Sequence, residues 1–461
     1  MTGASAQVSE APEIAATSAK PGRVAWTSMA AFAVYVGGAG MTYGAQLLIA
    51  RLIGPDGYGT YAYVFSWMTI LAYAAALGFD VSTLRFVPTY RSQDAWALMR
   101  GVIQYAERRV ALAGIAIVLL GAALIGAGPR PGASVLRLTF LAGLGLVPVW
   151  ALLWVRCALV RACGGIVAGL VPDRLVRDGL LVLLLAIAAA VVRSRIDAPT
   201  AMLATLLGSL IGLVLASRAA RKVRPRALRG VAPHYAASVW RRTAIPLVAV
   251  AIGEVAMNRT GVVLLGWSGD TRAAGIYALA FNFALVVALP RTAINAWLAP
   301  TISALHARGD KAALRRVVGR AAGWTLMGSI GLALPLSLLA PSLLSWFGHG
   351  FGAGLATLQI LLAGQVMAAG VGSQMFLLTM TGHEDAAALM LGFAAGVNAL
   401  LSAALIARLG PVGAALAATG SLLGWNAMMA LFIWRRIGLP PGLLAAPRWW
   451  APAGHTQDAR P

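Results

Sequence analysis

Residues 50–65 read ARLIGPDGYGTYAYVF, two apolar runs parted by the turn-forming knot GPDGYG. Proline fixes its own φ, and glycine permits the positive φ that a tight reversal needs. Arg51 and Asp56 would hold such a turn in water. The knot therefore predicts a reversal between two long apolar segments. A relative of it, GWSGDTRAAGIYALAF, occupies 266–281, and LGPVGAALA at 409–417 repeats the punctuation.

The composition around these turns sets the class. The chain of 461 residues is 59% hydrophobic and 11% charged, with a mean hydropathy of +0.78. Soluble domains carry about a quarter charged residues, so an ordinary polar surface is out of reach. Apolar windows of about 20 residues mark membrane-spanning helices. Such windows fall at 25–50, 59–80, 108–128, 136–159, 165–192, 198–218, 243–266, 272–299, 321–346, 353–379, 386–407 and 411–434. The fifth is the weakest, because Pro172, Asp173, Arg174, Arg177 and Asp178 crowd its start. A β-barrel would instead show short alternating strands of about ten residues. The expected class is an all-α polytopic membrane protein of about twelve transmembrane helices. The polar stretch 1–22 reads as a disordered tail and not as a cleavable signal, since the apolar run after it is long enough to span.

The net charge of +22 follows from orientation. With both termini in the cytoplasm, 28 of the 37 Lys and Arg fall on the cytoplasmic side and seven outside. That is a positive-inside bias, and it requires no nucleic-acid partner. Eight of these charges lie between 218 and 242, a basic linker expected to contact anionic membrane lipids.

A shift of 216 residues lays Gly59, Tyr61, Ala62 and Phe65 on Gly275, Tyr277, Ala278 and Phe281. The same shift lays DAWALMR (94–100) on DKAALRR (310–316), and each Asp is placed to cap the helix that follows. The offset predicts two six-helix bundles, 23–218 and 243–438, joined by the linker 219–242 and followed by a cytoplasmic tail at 439–461. An even number of spans per bundle gives a parallel pseudo-two-fold repeat, as in several transporters.

Polar residues inside the spans are the candidates for function, since an ionisable group at mid-span costs roughly 2.5–3.5 kcal/mol on insertion scales. In TAIPLVAVAIGEVAMNRTGVVLLG (243–266), Glu254 and Asn258 share a helix face and Arg259 lies beside it. Either Glu254 and Arg259 pair or Arg259 snorkels outward, or both face a cavity in which Arg259 takes an anionic group and Glu254 senses protons or cations. The first span offers Tyr35, Thr42 and Gln46 with Gly37, Gly38, Gly40 and Gly44, a series that serves close packing or bending. Arg85 and Arg291 sit toward cytoplasmic span ends, within reach of lipid phosphate. Asn282, Asn295, Gln359, Gln365, Gln374, Asn398 and Asn426 are scattered over other spans as expected interhelical hydrogen-bonding groups.

Several chemistries are missing from the sequence. No P-loop or H-E-x-x-H occurs, the five His have no metal-ligand spacing, and Cys157 and Cys163 read as inert thiols. His383-Glu384-Asp385 reads as a solvated turn before it reads as a metal site. No cofactor is expected.

ARLIGPDGYGTYAYVFSWMTILAYAAALGFDVSTLRFVP (50–88), LLGWSGDTRAAGIYALAFNF, LAPTISALHARGDKAALRR, TGHEDAA and LGPVGAALAATGSLLGWNAMMALF together resemble, in order and spacing, the polysaccharide-transporter flippases. These belong to the multidrug/oligosaccharidyl-lipid/polysaccharide (MOP) exporter superfamily, and the resemblance covers about 24–438. It implies two bundles around a cavity that opens alternately to cytoplasm and periplasm of a bacterial inner membrane. It also implies a lipid-linked (undecaprenyl-diphosphate) oligosaccharide as cargo, and glycan polymerase or assembly proteins as partners. Many members carry an acidic residue near the position of Gly261, which this chain lacks. The expected substrate-binding residues are Arg259, Asn258, Arg51, Gln46, Asn282, Arg85 and Arg291, with Glu254 for coupling. Two other readings stand beside this one. A drug or cation exporter of the same superfamily would need more buried acids, and a membrane glycosyltransferase or polymerase would need catalytic carboxylates or large outer loops.

Overall fold

The computed structural model describes residues 21–127, 134–191, 196–348, 350–440 and 442. The expected tails at 1–22 and 439–461 lie almost wholly outside the described residues. Everything described is helix or short connection: α1 Pro21–Ala76, α2 Phe79–Ser92, α3 Trp96–Ala127, α4 Val135–Leu144, α5 Leu146–Ala162, α6 Ile166–Val171, a π-helical turn Pro172–Val176, α7 Arg177–Val191, α8 Ala198–Val223, α9 Ala237–Trp267, α10 Thr271–Val286, α11 Leu289–Ala307, α12 Lys311–Trp346, α13 Leu355–Val371, α14 Gln374–Met380 and α15 Glu384–Ile437. Among the described residues, eight helices or helix runs are long and apolar enough to cross a membrane, and nine when α10 and the start of α11, bent by 44°, are joined. The protein is a multi-pass helical membrane protein.

Two of these runs far exceed a bilayer: Met29–Ser92 has 64 residues and Glu384–Arg436 has 53, where about 20 suffice. Each contains a long helix interrupted at one residue, and Met29–Ser92 is broken again at Leu77-Gly78, between α1 and α2. Gly54 (φ 69°, ψ 179°) interrupts α1 and Gly410 (φ 54°, ψ −130°) interrupts α15. In both, a proline follows, Pro55 and Pro411. Glycine tolerates the positive φ, and proline is pre-set for the first turn of the next helix. The GPDGYG knot is thus narrower than its composition suggests. Gly54 alone leaves the helix, and Asp56, Gly57 and Gly59 belong to the helix that follows.

The capping expectation holds for one aspartate of its pair. The Asp310 carboxylate accepts from the Ala313 amide at 2.8 Å at the start of α12. Asp94 instead takes a positive φ of 52° in the tight turn between α2 and α3.

The glycines matched by the 216-residue offset pack directly on each other. A Cβ on Gly59 would stand 1.6 Å from the Thr271 carbonyl oxygen and 2.9 Å from the Gly275 nitrogen, and one on Gly275 would stand 2.4 Å from the Pro55 carbonyl oxygen. The second part of α1 and α10 therefore cross backbone to backbone, a contact only small residues allow. Tyr63 closes onto Gly266 in the same region, where a Cβ would meet its ring at 2.3 Å.

Around this crossing one hydrophobic core runs through helices of both halves, from Ile49, Tyr58 and Val64 to Tyr277, Phe347 and Leu358. A second, smaller core of Leu298, Ile302, Leu314, Leu378 and Ile433 belongs to the C-terminal half alone. It lies where α11, α12, α14 and α15 approach the basic segments 308–320 and 435–436. This second core is separate from the shared one, whereas the basic start of α9 packs on the N-terminal half, the Trp240 indole donating to the Tyr90 hydroxyl at 2.9 Å.

Candidate transport site

Arg259 is the ionisable group at the seam of the two halves. It comes from α9, yet its guanidinium carbon lies 5.4 Å above the ring of Phe65 on α1, a cation–π distance. The hydroxyls of Tyr43, Tyr58, Tyr61 and Tyr73, all on α1, lie within its electrostatic reach. Among the described residues no carboxylate pairs with it. Among the described residues its charge is met by the Phe65 ring face and by no acid, so an incoming anion would be its first full countercharge.

Two further expected residues meet next to it. Tyr58, fully buried, donates its hydroxyl to the Gln46 side-chain oxygen at 3.1 Å and accepts from the Asn282 amide at 3.0 Å. Gln46 and Asn282 belong to opposite halves, and Tyr58 is the hub that the polar-residue reading lacked. Its neighbour Tyr61 shares a 3.0 Å hydrogen bond with Thr205 of α8.

The remaining expected residues stand apart from this group. Arg51 is exposed and stacks at 4.6 Å on Trp346 of α12. Asn258 is exposed and donates to the Glu254 carbonyl of its own helix at 2.9 Å. Arg85 is exposed on α2, and Arg291 is half-buried at the start of α11. Glu254 is exposed and makes no ion pair among the described residues, so it is not the partner of Arg259. Of the scattered amides, Asn398 reaches the Met257 carbonyl across a helix interface at 3.4 Å, whereas Asn426 bonds within its own helix to Leu422. At Gly261 a Cβ would collide with the Tyr277 ring at 2.5 Å, so the packing leaves that position no room for a side chain.

The crowded start of the fifth apolar window is where the sequence reading falls short. Counted there among cytoplasmic cations, Arg174 and Arg177 lie instead in the π-helical turn and α7, inside the N-terminal half. Arg177 donates at 2.8 Å to both Asp173 and Asp178 and stacks on Trp150. Trp154 donates to Asp173 at 3.2 Å, and the Thr42 hydroxyl donates to Asp178, tying α1 to α7. Asp178 is only 5% exposed. Gly38 lets α1 approach this turn, since a Cβ there would meet Arg174 at 2.7 Å, while Gly40 and Gly44 face open space.

The network predicts its own sensitivity. Arg177→Met leaves Asp178 buried without its cation and Asp173 with only its loose contact to Arg174, and should cost about 3–5 kcal/mol, read as a lower melting temperature in detergent. Adding Asp173→Asn and Asp178→Asn should recover most of it. An Arg177→Met protein as stable as the parent would mean the carboxylates are solvated.

Arg174 is the functional candidate the sequence reading missed. It stacks at 4.9 Å on Tyr35, and with Arg259 it flanks Tyr43 electrostatically. Its contact to Asp173 is loose, 3.7 Å with the arginine side chain 40% exposed. Tyr35 and Tyr43 also line a cavity of about 900 Å³ whose other walls include Leu170, Leu289, Pro290 and Leu332. Arg174 thus reaches the wall of an apolar chamber between α1, α6, α11 and α12 through Tyr35, and neither its guanidinium nor that of Arg259 is among the residues lining the chamber. Among the described residues no group of three or more His, Cys, Asp or Glu could hold a metal ion.

No family model and no curated protein matches the chain. Solved structures do. An inward-facing multidrug-resistance MATE family transporter of the MOP superfamily is similar at a TM-score of 0.68 and 14% identity, over 86% of this chain and 94% of that one. The lipid II flippase MurJ in an inward closed conformation gives 0.67 and 14%, over 89% and 87%. An outward-facing MATE transporter gives 0.59 and 14%, over 88% and 94%. At these identities the likeness establishes the fold, that of MOP superfamily transporters.

Proposed function

We propose that the chain flips a lipid-linked (undecaprenyl-diphosphate) oligosaccharide across a bacterial inner membrane by alternating access, for surface polysaccharide biosynthesis. The observation that carries this reading is a guanidinium from each half, Arg174 on Tyr35 and Arg259 on Phe65, beside an apolar cavity that Tyr35 and Tyr43 line. A pyrophosphate wants converging guanidinia, and the isoprenoid next to it wants apolar walls. Splitting α1 at Gly54 and α15 at Gly410, and counting α2, α6–α7 and α10–α11 with their neighbours, gives twelve spans. We read these as two six-helix bundles, with both termini and the linker in the cytoplasm.

The cation-exporter alternative is weakened by the same geometry. Asp178 and the half-buried Asp173 are occupied by Arg177, which leaves Glu254 and Asp80 as acids of this region without an ion pair among the described residues. A glycosyltransferase or polymerase fits less well, because the proteins of similar fold are transporters and flippases.

The deciding experiment is translocation of a labelled lipid-linked oligosaccharide in proteoliposomes, where a rate no higher than in empty vesicles would sink the proposal. Glu254→Gln separates coupling from binding in the same assay. If Glu254 couples, this variant keeps basal flipping and loses its acceleration by a proton gradient; a response equal to the parent's assigns Glu254 no part in coupling.

A further inference from the structure

The basic linker is not a loose hinge. His234 donates its amide to the Ala97 carbonyl at 3.0 Å, and Gly101 lets it come so close that a Cβ there would stand 1.9 Å from the His234 carbonyl oxygen. Arg100 donates to the carbonyls of Leu228 and Val231 at 3.2 and 2.6 Å. Tyr235 donates to the Gln104 side chain at 2.9 Å. Residues 224–236 are thus strapped across the start of α3, with Leu228 buried beneath.

Strapping them down closes a cavity of about 250 Å³, lined by Arg100, Gln104, Arg221, Arg224, Pro225 and Arg229 among others. Four guanidinia face it, and no carboxylate is in its wall. The nearby acid is Glu107, and it is already engaged by Arg224 at 2.8 Å and Arg156 at 3.7 Å. The Arg224 Nε is buried and has no hydrogen-bond partner. Like charges gathered this way repel each other. A bound anion would turn that repulsion into attraction. The volume equals roughly eight waters at about 30 Å³ each, room for a phosphate group and its hydration and too little for a glycan.

From this geometry we infer that the pocket under the strap is a binding site for a phosphate-bearing anion, supplied either by an anionic phospholipid headgroup at the cytoplasmic surface or by a soluble phosphate compound. It stands apart from Arg259 and Arg174, and it does not depend on what the protein carries. Because the strap is the covalent link between the two halves, an anion held jointly by α3, α8 and the strap stiffens that link.

The test uses the full chain in nanodiscs and follows tryptic cleavage after Arg226, which is exposed within the strap. One arm adds sodium pyrophosphate to phosphatidylcholine nanodiscs against sodium chloride of equal ionic strength. The other replaces part of the phosphatidylcholine with phosphatidylglycerol. Occupancy should slow cleavage by about tenfold at a ligand concentration ten times its dissociation constant. Slowing by pyrophosphate alone assigns a soluble ligand, slowing by phosphatidylglycerol alone a headgroup, and slowing by both a site open to either source. Arg221→Gln with Arg229→Gln should abolish the protection, and Arg241→Gln with Arg242→Gln, the same charge loss at exposed positions of α9, should keep it. Unchanged cleavage of the parent in both arms, or equal loss of protection in the two double variants, would overturn the site.

Discussion

Arg259→Ala should bring flipping of lipid-linked oligosaccharide down to about the rate of empty vesicles, with no loss of melting temperature. The second half of that expectation carries the discrimination. A cation that serves packing is paired, and removing it strands a buried acid. Among the described residues Arg259 has no such partner, and the ring of Phe65 lies beneath it. Truncation therefore strands nothing, and the protein should be as stable as the parent or slightly more so. A charge-assisted hydrogen bond is worth about 1.5–3 kcal/mol, which is roughly ten- to hundred-fold per contact at 1.4 kcal/mol per decade. Arg259→Lys should fall between, since a point charge replaces a bidentate fork. Arg174→Ala should lose transport to a similar degree, because it offers the second guanidinium from the other half. If Arg259→Ala flips at the parental rate, the anion is bound elsewhere and the proposed site is wrong.

How much of this site could be read from the chain follows from what a membrane does to sequence patterns. Long apolar windows and Gly-Pro breaks are strong signals, so the apolar windows lie on the described helices to within a turn or two at most ends. Polar residues in a lipid-facing segment are costly and stand out, which is why Gln46, Asn282 and Arg259 could be singled out. Their partners could not. In a soluble helix the 3.6-residue alternation says which face is inside, but here the lipid side is as apolar as the core. Nothing in the sequence told that Tyr58 would join Gln46 to Asn282, or that Arg51 would turn away to Trp346. The pairing of Asp173, Arg177 and Asp178 was hidden for the opposite reason. Four charges in six residues read as the watery start of a span, and only their mutual pairing inside the N-terminal half makes them compatible with burial.

The other large effect belongs to the crossing at Gly59 and Gly275. There the second part of α1 and α10 meet backbone to backbone. The ion pair beside it, Arg272 to Asp56, measures 3.8 Å, and both side chains are more than half exposed. Such pairs contribute about 0–1 kcal/mol, so Asp56→Ala with Arg272→Ala should alter transport little. The glycine contact is different in kind: it lets two backbones touch, and the shared core of both halves closes around it. Alternating access requires that this contact part once in every cycle. Cysteines at 56 and 272, with Cys157 and Cys163 replaced, should therefore join through a short cleavable bifunctional thiol reagent. Joined, the protein should flip no faster than empty vesicles, and cleaving the reagent should restore the rate. Full activity in the cross-linked state would mean that cargo leaves without the crossing opening, and the rocking of one half against the other would have to be abandoned.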